Sequence, residues 1–153
     1  MADHLRTQIR DKVKDLLDPL TTTGTNCYAA RPATRPLHTL PALLIYTNGE
    51  DINLASGSRG ARRLERPLDL VVEGYVAESG TSADPDKTLD TINKEVEVAL
   101  AADPTLNGLV KDLYLLRIEK EQDEEAEKPT WMIRMTFYCE YHTRETAPDA
   151  ALA

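Results

Sequence analysis

Positive charge, cysteine, histidine and aromatic rings are all scarce in this 153-residue chain. Eighteen Lys and Arg face 26 Asp and Glu, a formal net charge of −8. That balance argues against general affinity for a phosphate backbone, where a strongly basic one would be expected. There is no run of about 18 apolar residues and no charged, apolar, small-residue start of the signal-peptide kind, so a chain made and kept in the cytosol, off membranes, is expected. Only two cysteines are present. Cys139 falls on the apolar parity of a strand pattern and Cys27 in the short run TNCYAA, so both are expected to be reduced, small core residues, with a Cys27–Cys139 disulfide as the alternative.

The constellations that carry catalysis are missing too. ASGSRGAR has glycines and a serine but not the lysine-ended spacing of a phosphate-cradling loop, and no helix pattern follows it. No G-x-S-x-G elbow presents an acyl-transfer serine. His4, His38 and His142 are scattered, and only His142 has an acidic neighbour on its own strand face, Glu140. Two ligand types fall short of the three or four a stable metal site needs, so a solvated or interface pair is the reading. The acid run Glu119, Glu121, Asp123, Glu124, Glu125 and Glu127 lacks the glycine-bearing pattern of a calcium loop and reads as a solvated hairpin tip. No enzyme, cofactor or metal is expected.

What the sequence does have is periodicity. In PTWMIRMTFYCEYHT, Trp131, Ile133, Met135, Phe137, Cys139 and Tyr141 share one parity, the mark of a strand with one buried face. Leu5, Ile9, Val13, Leu16 and Leu17 predict an amphipathic helix that ends before Pro19, with Asp3 as N-cap. TNCYAARP and ALLIYT predict short strands, the second stopping at NGED. RPLDLVVEGYVAE predicts a third strand bent at Gly74. Asp84, Pro85 and Asp86 are a complete helix start, followed by the stripe Leu89, Ile92, Val96, Ala99 and Leu100. After DPTLNG, LVKDLYLLRIEKE predicts a strand with Val110, Tyr114, Leu116 and Ile118 on one parity.

The fold expected is α+β: two amphipathic helices packed on one face of a mainly antiparallel sheet of about five strands, in one domain over 1–153. Each buried Leu, Ile or Val contributes about 1.5–3 kcal/mol before entropy opposes it, so two such stripes over a sheet suffice for a core. Residues 49–61 hold no apolar period and are expected to be a long mobile loop, and 145–153 a frayed tail. The other sheet face, with Asp69, Glu73, Arg134, Tyr138 and Glu140, is left to water or to another chain.

The one local excess of positive charge is SRGARRLER, with Arg59, Arg62, Arg63 and Arg66. No rings are interleaved, which argues against a groove for single-stranded nucleic acid. Arginine without lysine in an acidic chain suits bidentate pairing with carboxylates of a second protein molecule, a solvated strand end being the alternative. Glu50, Asp51, Glu73, Arg134 and Glu140 complete the candidate surface for contact with another protein molecule.

Read in order, the opening helix, ARPA (Ala30–Ala33), PALLIYTNGED (Pro41–Asp51), the long loop, LDLVVEGYV (Leu68–Val76), the LDTI helix, DPTLNGLV (Asp103–Val110) and MIRMTFYCEY form a series. From about Leu5 to His142, this series resembles the tail terminator proteins of long-tailed bacteriophages, the minor tail protein U family of lambda-like phages. The resemblance implies a non-enzymatic α+β virion protein, assembled in the host cytoplasm, that forms a hexameric ring on the head-proximal end of the tail tube. Such a ring stops tube polymerisation and offers the surface that joins the head; a neck or head-completion connector is the alternative. The implied partners are further copies of the chain, the tail tube protein and a head–tail connector or neck protein, with DNA passing through an acidic bore without specific binding. The resemblance also implies that the 49–61 loop orders against the tube. A closed ring needs two different complementary patches, for which the arginine cluster and the acidic face or hairpin tip are the candidates.

Overall fold

A computed structural model describes residues 2–29, 40–77, 84–123 and 130–152. Its elements in chain order are α1 (Leu5–Leu17), β1 (Cys27–Tyr28), β2 (Ala42–Glu50), β3 (Asn53–Ser56), β4 (Arg63–Ala77), α2 (Pro85–Ala101), β5 (Asp112–Asp123) and β6 (Thr130–Arg144). They form an α+β fold around a six-stranded mixed sheet in the order β1-β2-β4-β6-β5, with β3 beside β4. β1 runs parallel to β2 and every other pairing is antiparallel.

β6 follows its parity. Ile133, Met135, Phe137, Cys139 and Tyr141 are buried and join Leu68, Leu70, Val72 and Val76 of β4 with Leu43 and Ile45 of β2. The stripes Leu5, Ile9, Val13 and Leu17 of α1 and Leu89, Ile92, Val96 and Leu100 of α2 belong to the same cluster. α2 starts as its sequence dictates: the Asp84 carboxylate accepts from the Lys87 N–H at 3.1 Å, and Pro85 occupies the first turn. α1 ends before Pro19 but is capped one residue later than expected, by His4, whose Nδ1 accepts from the Arg6 N–H at 3.1 Å. Cys27 and Cys139 are free and buried, with no disulfide between them.

The structure departs from the sequence-based expectations in five further places. A sixth strand, β3, lies inside the segment read as loop 49–61. It continues the line of β2 along the same edge of β4, with Glu50 opposite Leu68 and Asn53 opposite Glu65, so β2, β3 and β4 make one long hairpin. All four β3 residues are exposed, so no apolar alternation betrays the strand. Second, β4 is continuous through Gly74 and paired with β6 along its whole length. Gly74 instead gives α2 room: a Cβ there would lie 3.0 Å from Ile92 Cγ2 and 3.2 Å from Ile133 Cγ2.

Third, the β5 parity is not the one its stronger apolar residues suggest. Leu113 is buried, whereas Tyr114, Leu116 and Ile118 are exposed, and the register slips between Leu115 and Arg117. A bulge of this kind shifts the following side chains relative to the faces of the sheet. Fourth, Glu73, assigned to the solvent face, is only 1% exposed. Fifth, the expected frayed tail is docked. Pro148 O accepts the Leu5 N–H at 2.9 Å, Asp149 O accepts Gln8 Nε2 at 2.8 Å, and Leu152 N–H donates to His142 O at 3.0 Å. The first turn of a helix carries unpaired N–H groups that need such acceptors. Glu124, Glu125 and Glu127 of the acid run, and the connector around His38, lie outside the described residues.

Candidate assembly surfaces

The arginine cluster separates by position in the β3–β4 hairpin. Arg59 is exposed in the turn between the two strands. That turn needs its glycines: Gly57 (φ +95°) and Gly60 (φ +87°) are left-handed, and a Cβ on Gly57 would lie 2.5 Å from Ala61 O. Glu145 fastens the turn to the end of β6, its carboxylate accepting the Gly60 N–H and lying 3.5 Å from Arg62 Nη1, while its own N–H donates to Arg62 O at 2.9 Å. Residue 145 sits in the segment read as a frayed tail, so nothing in the local pattern marked it.

Arg63 donates to His142 Nδ1 at 2.9 Å. A guanidinium can only donate, so His142 carries its proton on Nε2 and donates it to Glu140 Oε2, 2.9 Å away. Glu140 also accepts from Tyr138 O–H at 2.6 Å. These two hydrogen bonds, Tyr138 first, hold the Glu140 carboxyl below the usual carboxylate range although partial burial opposes them. The bond to Glu140 and burial push the Tyr138 phenol up to about 12. Tyr138 stacks on Tyr114 across the β5–β6 pair, with ring centroids 4.9 Å apart.

Three of the expected interface residues are turned inward. Arg66 is on the core parity of β4 and only 7% exposed. Its Nε donates to Thr143 Oγ1 at 3.0 Å, its Nη1 lies 3.4 Å from Glu50 Oε2, and its guanidinium sits 5.7 Å from the centre of the Tyr141 ring. Glu50 accepts from Arg6 Nη1 at 2.9 Å and from the Tyr141 O–H. The network joins α1, β2, β4 and β6 at one end of the sheet. Burial, followed by the Glu50 bond and charge, pushes the Tyr141 phenol well above its ordinary value. A tyrosine on an apolar parity needs a partner for its O–H, and an arginine in phase with Leu68, Leu70 and Val72 needs a carboxylate; those were the available signals. Glu73, the third, accepts from Arg134 Nε at 3.1 Å, and Arg134 reaches Glu119 and Glu121 of β5 at 3.8 and 3.6 Å. Glu50, Arg66 and Glu73 are each paired within the protomer, as a buried charge must be.

The exposed members of the set are Asp51, Arg59 and part of Arg62, together with the polar side of β5 and β6 around Arg134 and Glu140. An open basin of about 380 Å³ lies there, walled by Tyr46, Asp69, Glu119, Arg134 and Thr136. It mixes both signs of charge and suits polar side chains of a neighbouring protein. The thiols are not poised for chemistry: burial pushes both Cys27 and Cys139 up to about 12. Among the described residues, no group of three or more His, Cys, Asp or Glu is placed to share an ion, and no helix is long and apolar enough to cross a membrane.

Among curated protein sequences none matches this chain. A chain described as part of the virion of a native gene transfer agent particle is similar in structure, with 17% identity, 92% of each chain covered and a TM-score of 0.39. Residues 4–141, most of the sequence, match the family model of phage minor tail protein U. The chain belongs to that family, and it is a structural protein of the phage virion tail.

Proposed function

We propose that this protein is a tail terminator: copies of it close into a ring, six-fold in the family reading, on the head-proximal end of the tail tube. The ring ends polymerisation of the tube protein and presents the surface to which a head connector joins. Its location in the finished particle is the head-proximal end of the tail, after assembly in the host cytoplasm. The match of residues 4–141 to the minor tail protein U family carries this reading. The physical properties of the chain are compatible with it. The net charge of −8 repels DNA phosphates, as a passage for DNA requires. The sheet has two unlike edges, along β3 and along β5, which is what a head-to-tail ring contact needs. The β3–β4 hairpin, exposed along Asp51–Ala61, is a surface open to the tube or to a neighbouring copy.

Electron microscopy of purified protein mixed with tail tubes tests the proposal. Rings seated on one end of each tube, with no further growth when tube protein is added, are expected. Tubes that keep growing in a large excess of the chain would overturn it, and binding to a head connector with no binding to tubes would assign the neck role instead.

A further inference from the structure

Besides the two-residue end strand β1, two strand edges of the sheet have no paired strand among the described residues, and they differ. One runs along β3, beyond the short β1–β2 pairing; the other is the outer edge of β5 on the opposite side of the sheet. Each carries large apolar side chains in water: Ile52 (53%) and Leu54 (59%) at β3, and Tyr114 (47%), Leu116 (53%) and Ile118 (41%) on β5. An exposed strand edge bearing apolar residues is a template for another chain, and proteins that must avoid pairing blunt it. A contiguous exposed apolar edge otherwise marks an interaction site.

Charge decides which edges meet. Residues 52–63 carry Arg59, Arg62 and Arg63 and no acid. Along β5 the charged residues are Asp112, Arg117, Glu119, Lys120, Glu121 and Asp123, four acids against two bases. Both bases of β5 are held within the protomer, Lys120 by Asp86 and Asp90 of α2 at 2.8 and 2.7 Å and Arg117 by Glu119 at 3.0 Å; on the arm Arg62 is held by Glu145 and Arg63 by His142, which leaves Arg59 in the exposed turn to meet a neighbour. Pairing β5 with a second β5 would set two acidic strands side by side, whereas β3 itself (Asn53–Ser56) carries no charge and the arginines beyond its end put positive charge beside whatever strand it joins. Only β3 against β5 brings opposite signs together, and like charges placed directly opposite are destabilising.

Resting on the ring reading, we propose that the β3 arm (residues 52–63) of one copy docks along the β5 edge of a second copy, adding strand to sheet head to tail. Backbone hydrogen bonds hold the pair, Leu54 covers the Leu116 region, and Arg59 in the exposed turn faces the acidic end of β5 at Glu119 and Glu121. The contact is heterologous, so each copy offers one arm and one edge, and repeated use closes a ring. The Leu115–Arg117 bulge limits the pairing to one side of itself, which fixes where the short β3 can sit.

Two full-length variants test this, each changed at an exposed position that leaves the core intact: Leu54→Glu disables the arm and Leu116→Glu disables the edge. In sedimentation velocity across a range of protein concentrations, wild type is expected to form closed oligomers. Each variant alone is expected to associate about tenfold or more weakly. An equimolar mixture of the two is expected to give a dimer and nothing larger, because one intact arm meets one intact edge. Circular dichroism melts like those of wild type confirm folding. If either variant alone forms the wild-type oligomer, the surface assignment is wrong while the ring stands. If wild type stays monomeric at every concentration, with and without tail tubes, the ring and this contact fall together.

Discussion

Replacing Arg66 with methionine keeps an unbranched side chain of similar reach and removes one charge from the network at the end of the sheet. Arg66 and Glu50 have side chains only 8% and 5% exposed and lie 3.4 Å apart. Removing one partner of a buried ion pair costs about 3–5 kcal/mol, mostly because the other charge is left without compensation. Here Glu50 keeps Arg6 at 2.9 Å and the Tyr141 O–H, so its charge is not abandoned. Thr143 Oγ1, in contrast, loses its donor. The expected loss for Arg66→Met is therefore about 2–4 kcal/mol, or about 4–16 °C in Tm for a chain of this length. Glu50→Gln should cost less, since the amide oxygen can still accept from Arg6. The double variant should be more stable than the sum of the two predicts, by about 1–2 kcal/mol, because neither charge then remains without its partner. Urea melts followed by circular dichroism, with m values compared, supply the four corners of the cycle. A single Arg66→Met variant within about 0.5 kcal/mol of wild type, or a strictly additive double variant, would show that the network contributes nothing and that the burial argument fails.

Gly74→Ala should destabilise by about 1–3 kcal/mol despite the better strand propensity of alanine, because the new methyl meets Ile92 and Ile133 at 3.0 and 3.2 Å; an unchanged or raised urea midpoint would mean that α2 moves aside at no cost. The depressed Glu140 carboxyl makes a pH prediction. A group whose folded pKa lies below its unfolded value contributes stability above the unfolded value, about 4.3 for glutamate, and loses it as pH falls through the folded one. Glu140→Gln should thus flatten part of the acid-side fall in Tm below about pH 4.5, and a variant whose fall runs parallel to wild type would dissociate Tyr138 and His142 from that stability.

The parts of the fold that could be read from sequence are those where side-chain identity and burial coincide. β6 and α2 are the clearest cases: alternation in the one from Ile133 to Tyr141, and Asp84–Pro85 with a regular stripe in the other, correspond to the buried residues observed, although Met132, on the outward parity, is buried and Trp131 only partly so. β3 could not be read that way because every residue in it faces water, and only its pairing with β4 defines it. β5 misled because its conspicuous apolar residues, Tyr114, Leu116 and Ile118, are exposed, and parity reading presumes that apolar means inward. The candidate site was legible as a composition, arginines near one end of the third strand and acids elsewhere, but not as a geometry. Whether Arg66 points to solvent or to Glu50 depends on a register of β2 against β4 that local pattern does not contain. The docking of residues 145–152 was invisible for a different reason: its bonds use backbone carbonyls, which every residue has.

That last arrangement ties two distant parts of the protomer to one short segment. The Pro148 carbonyl accepts the Leu5 N–H at the start of α1, and the Glu145 carboxylate accepts the Gly60 N–H in the turn that carries Arg59. Residues 145–148 thus act as a clasp, and whatever loosens them releases the first turn of α1 and the basic turn together.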